Sequence, residues 1–384
     1  MSNRFRLKKC MIMVILFTVI FISAKRNALA YAFDNKTYIW ITIDTESTIN
    51  WPIAEQLNAE INGIKYGISS IIDICNKHDM RATFFLNVYE YKVYGEEKMK
   101  RIAQYIHHSG HDVQLHPHPE WAYDKKRKAL WQYSLQEQIE IIRDGSDLIR
   151  KWTGASPVAH RAGGYMADNN TLKSLEANNI LIDSSYFYNN QGCRISHPDL
   201  EVNSIKQIEN IWEIPVTLYM RNETPNYNVL GLKPIVRFRK IDIDWADYND
   251  LESAIFQAQR NRIQVVTLFL HSFSFGDFKG DAAALKDIED FDRILTVIGG
   301  DPTLKVVTSN ELIRILNHFE KTVVNSDFVP RVDGTISYAK YFKRRFLFSK
   351  IRIMVAVASM ISCLIIFTAL IICFRRKKGW DVQS

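Results

Sequence analysis

Asp44 and Glu46 follow one apolar run, His116 and His118 alternate in LHPHPEW, Arg161 ends a short run at AHR, and His271 closes TLFLH. Residues of these types, gathered at one place, make a hydrolytic site. Carboxylate and imidazole take up and return protons near neutral pH, and a guanidinium keeps a neighbouring carboxylate ionised. Alternate residues of an extended run point to one side, so His116 and His118 can share a ligand, as a metal site requires. Asp44 with Glu46 or Glu120 could instead be the paired carboxylates of a glycosidase, which needs no metal. Each residue taken singly has an ordinary explanation: a cap, a core histidine, a salt-bridge partner. Their joint occurrence at four strand ends is what points to chemistry.

The segments that hold these residues alternate between strand and helix patterns. Strand-like runs cover residues 38–44, 81–88, 112–116, 159–161, 180–183, 211–216, 265–271 and 305–307. Apolar spacing predicts helices over 66–78, 98–108, 169–178, 251–260 and 281–297. Ser134-Leu-Gln-Glu137 is a capping box that opens a helix running to about Thr153. Such alternation means an α/β fold with a parallel sheet and crossover helices. Seven to eight strand–helix repeats favour a distorted (β/α) barrel over an open sheet. The C-terminal strand ends of a barrel converge on one mouth, which is where the polar residues fall.

At these residues the chain resembles the polysaccharide deacetylases of the NodB homology type, carbohydrate esterase family 4. The resemblance runs from about Tyr38 to Leu316 and rests, in order, on ITIDTE, RATFFLN, SGHDVQLHPHPEW, HRAGGY, LIDSSYF, WEIPV and LFLHSF. It implies a barrel usually of seven strands and hydrolysis of N-acetyl groups on a polysaccharide, releasing acetate. Asp44 matches the family's catalytic base, Arg161 the residue that pairs with it, and His271 the general acid. The segment to Tyr165 matches the loop whose backbone N–H stabilises the oxyanion, and Tyr165 and Trp121 are the candidate substrate contacts. The implied metal ligands are drawn from Glu46, His116, His118 and Glu120, a set that suits a divalent ion such as zinc. The chain also departs from the family pattern. Thr45 stands where the second of two adjacent aspartates is usual, with Glu46 as its possible replacement. Glu120 stands at the usual second histidine, and Arg161-Ala-Gly-Gly-Tyr165 replaces Arg-x-Pro-Tyr. These departures keep open a carbohydrate-binding or assembly protein that has lost its metal.

The ends of the chain read differently. Residues 353–374 are uncharged and long enough to cross a bilayer as a transmembrane helix. The run 10–24 follows a basic start and ends in small residues, as a signal peptide or signal anchor does. The expected organisation is therefore a signal segment over 1–30, a catalytic domain over 31–320, a stalk over 321–352, the membrane helix over 353–374 and a cytoplasmic tail over 375–384. This places the main domain outside the cytoplasm, on a membrane. The net charge of +7 belongs to these flanks, which hold 16 of the 49 Lys and Arg residues. The middle of the chain is mildly acidic, which disfavours nucleic acid as a partner. Five cysteines without a CxxC pair give no support to a zinc finger or a dithiol redox site.

Overall fold

The first strand, Thr37–Thr45, is buried along its whole length, because a central parallel strand is covered on both faces. Its alternation sorts two layers. Ile39, Ile41 and Ile43 pack outward into the main core with the helices. Tyr38 and Trp40 point inward to a second cluster with Phe85, Leu312 and Leu316. Thr42 and Asp44 share that inward parity, so Asp44 comes out at the inner rim. The computed structural model describes residues 36–222, 236–277, 280–317, 328–333, 361, 362, 364, 366 and 367.

A nine-stranded sheet carries the chemistry. Across it the order is Val265–His271, Thr37–Thr45, Thr83–Leu86, Asp112–Leu115, Ala159–His160, Ile182–Asp183, Ile211–Glu213 and Lys206–Ile208, with Leu304–Val306 beside the start of the first strand. All these pairings are parallel except that of Lys206–Ile208 with Ile211–Glu213. The sheet curls until its ends meet. Thr217, just past Ile211–Glu213, receives and returns hydrogen bonds with Thr267: N to Oγ1 at 2.6 Å, and Thr267 N to Thr217 Oγ1 at 2.9 Å. The α/β expectation is borne out, and the curled sheet is closed at this point by side chains rather than by a full ladder.

The expected helices are present as Ile68–Lys77, Glu96–His108, Leu135–Thr153, Asn169–Ala177, Tyr248–Arg260 and Leu285–Gly300. Ser134 caps the third of these and Glu137 returns the bond, as its sequence requires. A further helix, Ser309–Asn317, closes the end of the sheet away from the site. Ser309 and Asn310 bond to Thr83 and Asp112, the first residues of two strands, while Leu312 and Leu316 fill the interior. A second sheet joins Val236–Lys240, Leu218–Asn222 and Arg331–Asp333. Arg331–Asp333 lies within the stretch read as stalk, so strand pairing in this compact unit runs past residue 320.

Residues 335–384 form a separate unit, in which the described residues are helical. The expected membrane helix and the segment 1–30 otherwise fall outside the described residues. Among those described, no helix is long and apolar enough to cross a membrane.

Candidate active site and metal cluster

Asp44 and His271 end neighbouring strands in direct register. Arg161 is fully buried on the far side of Asp44 and donates Nη1 to Asp44 Oδ1 at 2.8 Å. The segment LIDSSYF supplies its cradle. Arg161 Nε and Nη2 reach Ser184 O at 3.3 Å and Ser184 Oγ at 3.1 Å, and Ser185 Oγ receives Ala162 N at 2.9 Å. A buried cation this well fixed holds its partner ionised. Burial works against the Asp44 charge, but Arg161, helped by His116 and His271, outweighs it and keeps the carboxyl below its ordinary value.

Glu46, His116 and His118 converge beside this pair, with one ligand atom from each within 4.8 Å of the others. His116 Nδ1 lies 2.8 Å from Arg161 O. A carbonyl only accepts, so this nitrogen carries the proton and Nε2 presents a lone pair. That Nε2 stands 3.7 Å from Glu46 Oε2 and 3.8 Å from Asp44 Oδ2. His118 Nε2 stands 2.7 Å from Glu46 Oε2, an ion-pair distance without hydrogen-bond geometry. Burial opposes a charge on His118, but Glu46 and Glu120 push it up to about 10. Both Nε2 atoms are buried without a hydrogen-bond partner.

Glu120 stands behind this cluster, with Oε1 3.4 Å from His118 Nδ1. A carboxylate on the remote nitrogen is how ligating histidines are usually oriented. Gly163 makes the room: a Cβ there would come within 2.4 Å of the His118 ring. The Arg161–Tyr165 run and the alternating histidines are thus one steric arrangement. Asn87, which ends RATFFLN, ties the parts together. It accepts His118 N at 3.4 Å and donates to Glu90 Oε1 at 3.1 Å, and Glu90 holds the Ser47 amide at 2.8 Å. Burial raises Glu90 to about 7.

His271 gains a partner that the sequence reading passed over. Its Nδ1 lies 2.8 Å from Asp244 Oδ2, and Phe273 stacks on the ring at 4.5 Å. Burial lowers the His271 pKa, but the hydrogen bond and charge of Asp244 prevail and raise it above its ordinary value. The alternation in IDIDW, two acids at period two in an apolar stretch, was the available signal. Tyr165 has a left-handed φ of 63°, and its backbone N–H already donates to Ala162 O at 2.9 Å. The Tyr165 amide is therefore engaged within its own turn. Trp121 lies half-buried on the turn that carries Glu120, tilted against Tyr94 at 6.0 Å.

A carboxylate paired with a buried guanidinium, an imidazole paired with a carboxylate and a His–carboxylate cluster at one rim are the parts that a hydrolytic site needs. Residues 34–181 match the family model of polysaccharide deacetylases. The match includes Asp44, Glu46, His116, His118, Glu120 and Arg161, and it bears out the resemblance read from the sequence; Asp244 and His271 lie beyond it. Among solved structures, a peptidoglycan deacetylase of Bacillus subtilis shares 13% identity over 74% of this chain and 93% of its own, with a TM-score of 0.36. A family 4 carbohydrate esterase of Streptomyces lividans, in complex with acetate, shares 15% over 70% and 91%, with a TM-score of 0.36. An allantoinase shares 12% over 75% and 93%, with a TM-score of 0.49. No curated protein matches the chain.

Proposed function

We propose that the chain removes N-acetyl groups from an extracytoplasmic polysaccharide, with a divalent ion, zinc by ligand chemistry, held by Glu46, His116 and His118. The observation that carries this is the pair of neighbouring strand ends in which Arg161 is paired with Asp44 and Asp244 is paired with His271. The fit of a metal rests on two buried imidazole nitrogens that face one Glu46 oxygen and have no hydrogen-bond partner. When bound, the ion would supply Lewis-acid polarisation of the acetamido carbonyl and of the attacking water. Asp44 takes the proton from that water. Arg161 and the register of the strand hold its oxygens at the rim. His271, its Nδ1 fixed by Asp244, presents Nε2 to the nitrogen of the departing amine and gives it a proton. Acetate and a free amino sugar result.

Anchorage in a membrane is part of the same proposal. It is supported by the uncharged run 353–374, by its basic flanks, and by Ile361, Leu364, Ile366 and Phe367, which are helical and expose their apolar side chains. The test is acetate release from N-acetylated glycans with added zinc or cobalt. Asp44→Asn and His271→Ala should each fold, bind metal and lose about 100- to 10,000-fold in turnover. Full activity in Asp44→Asn would rule out the mechanism. A folded, metal-loaded wild type that releases acetate from no N-acetylated glycan would leave a carbohydrate-binding protein on this fold.

A further inference from the structure

Lys240 ends the strand Val236–Lys240, and its ammonium meets three groups in three directions. The Tyr165 hydroxyl is at 3.1 Å, Asp242 Oδ2 at 3.2 Å, and the centroid of the Phe269 ring at 3.3 Å. Its side chain is 13% exposed and that of Asp242 is not exposed at all. A lysine on an ordinary surface keeps its head in water. Here the charge is desolvated, which costs free energy unless the pairing is close and fixed.

The contacts of Lys240 continue in two directions. On one side, Asp242 Oδ1 accepts the Asp244 amide at 2.7 Å, and Asp244 Oδ2 holds His271 Nδ1 at 2.8 Å. This turn is laid along the His271 strand by Phe269 N to Ile241 O at 2.8 Å and Ile243 N to Phe269 O at 3.1 Å. On the other side, Tyr165 ends the loop that begins at Arg161, the partner of Asp44. These two sides belong to strands that are well separated across the sheet, Val265–His271 and Ala159–His160. Lys240 therefore spans the mouth from the base side to the acid side. Phe269 lies under it, with its ring also edge-on to His271 at 4.8 Å and beneath the Arg161 guanidinium at 5.2 Å.

We infer that Lys240 is a positioning residue, which fixes the Asp242–Asp244 turn against the Arg161–Tyr165 loop and thereby aims His271 at the substrate held beside Asp44. The inference rests on the deacetylase reading for its kinetic arm only. Misplacing a proton donor by about 1 Å costs on the order of 100-fold in rate. Lys240→Met should therefore lower kcat by about 100-fold with little change in KM. Lys240→Arg, which keeps the charge, should recover part of the loss. Asp242→Asn should also lower kcat, and the double variant should be no worse than Lys240→Met, because both act through one chain of contacts.

A second arm needs no turnover. In the folded protein, the His271 Nδ1 proton should give a protected, downfield NMR resonance that is lost or exchange-broadened in Lys240→Met. Should Lys240→Met not fold, Tyr165→Phe removes only the contact across the mouth and should broaden the same resonance. An unchanged resonance in the folded variants, a loss confined to KM, or multiplying effects in the double variant would each overturn the inference. If the wild type releases no acetate, the reaction assignment falls, and the resonance alone decides the role of Lys240.

Discussion

His271 carries one carboxylate on its ring, that of Asp244. Asp244 raises its pKa against the effect of burial, and a general acid works only below its pKa. The alkaline limb of the rate profile should therefore lie above the ordinary histidine value of about 6.5. Replacing Asp244 with Asn removes the charge and keeps the shape, so the His271 pKa should fall and the limb should move to lower pH. A limb that stays in place would show that another group sets it. Gly163 carries a second expectation. Gly163→Ala should fold, because the ring it strikes can rotate, but His118 would leave Glu46 and the metal stoichiometry of the purified protein should drop. Metal content equal to wild type would remove His118 from the ligand set. Asp44, Arg161 and His271 could be read from the sequence because each ends an apolar run, and the end of a strand is where a barrel exposes a side chain. The division of labour between His118 and Glu120 could not be read so. The two residues are two positions apart in an irregular turn, where period-two reasoning no longer fixes direction. Asp244 and Lys240 escaped because they flank a bend off the main sheet, and the partners that tie them to the site, His271 and Tyr165, are distant in sequence.

Strands and helices set how firmly that rim is held. The first strand was legible from Tyr38, Ile39, Trp40, Ile41 and Ile43, an aromatic and β-branched run of the kind that a strand buried on both faces carries. The helix from Leu135 was legible at its start because the capping box is a local signal. Ser309–Asn317 was missed because it is short, although its Leu312 and Leu316 fill the end of the curled sheet opposite the site. Leu312 is fully buried there. Leu312→Ala should cost about 2–5 kcal/mol, read as a lower midpoint in urea, as large-to-small changes in a packed core do. A change within about 0.5 kcal/mol would show that the helix is a cover and no part of the core. The second sheet was also missed, because Arg331–Asp333 finds its partner more than a hundred residues back, at Leu218–Asn222. No local pattern announces such a pairing.

At the scale of the molecule, the mildly acidic middle and the basic ends motivate the proposed membrane anchorage. That proposal predicts that added protease digests the central domain of intact cells and spares a tag fused after Ser384. A protected domain with an accessible tag would reverse the orientation. Removing residues from 353 onward should release a soluble domain, provided that Arg331–Asp333 is kept, since it belongs to a sheet.

The interlock of Gly163 with His118 also restricts the order in which this site can change by single substitutions. A side chain at position 163 displaces the ring at 118 from its place beside Glu46. A histidine at 118 reaches Glu46 only over a glycine at 163. A route that trades His118 for a ligand at position 120 therefore gives up the His118 contact whichever of positions 118 and 163 changes first, and a route in the reverse direction must clear position 163 before His118 can bind. Reconstructing both orders by mutagenesis, with metal content measured at each step, should show the His118 contribution only in variants that keep glycine at 163.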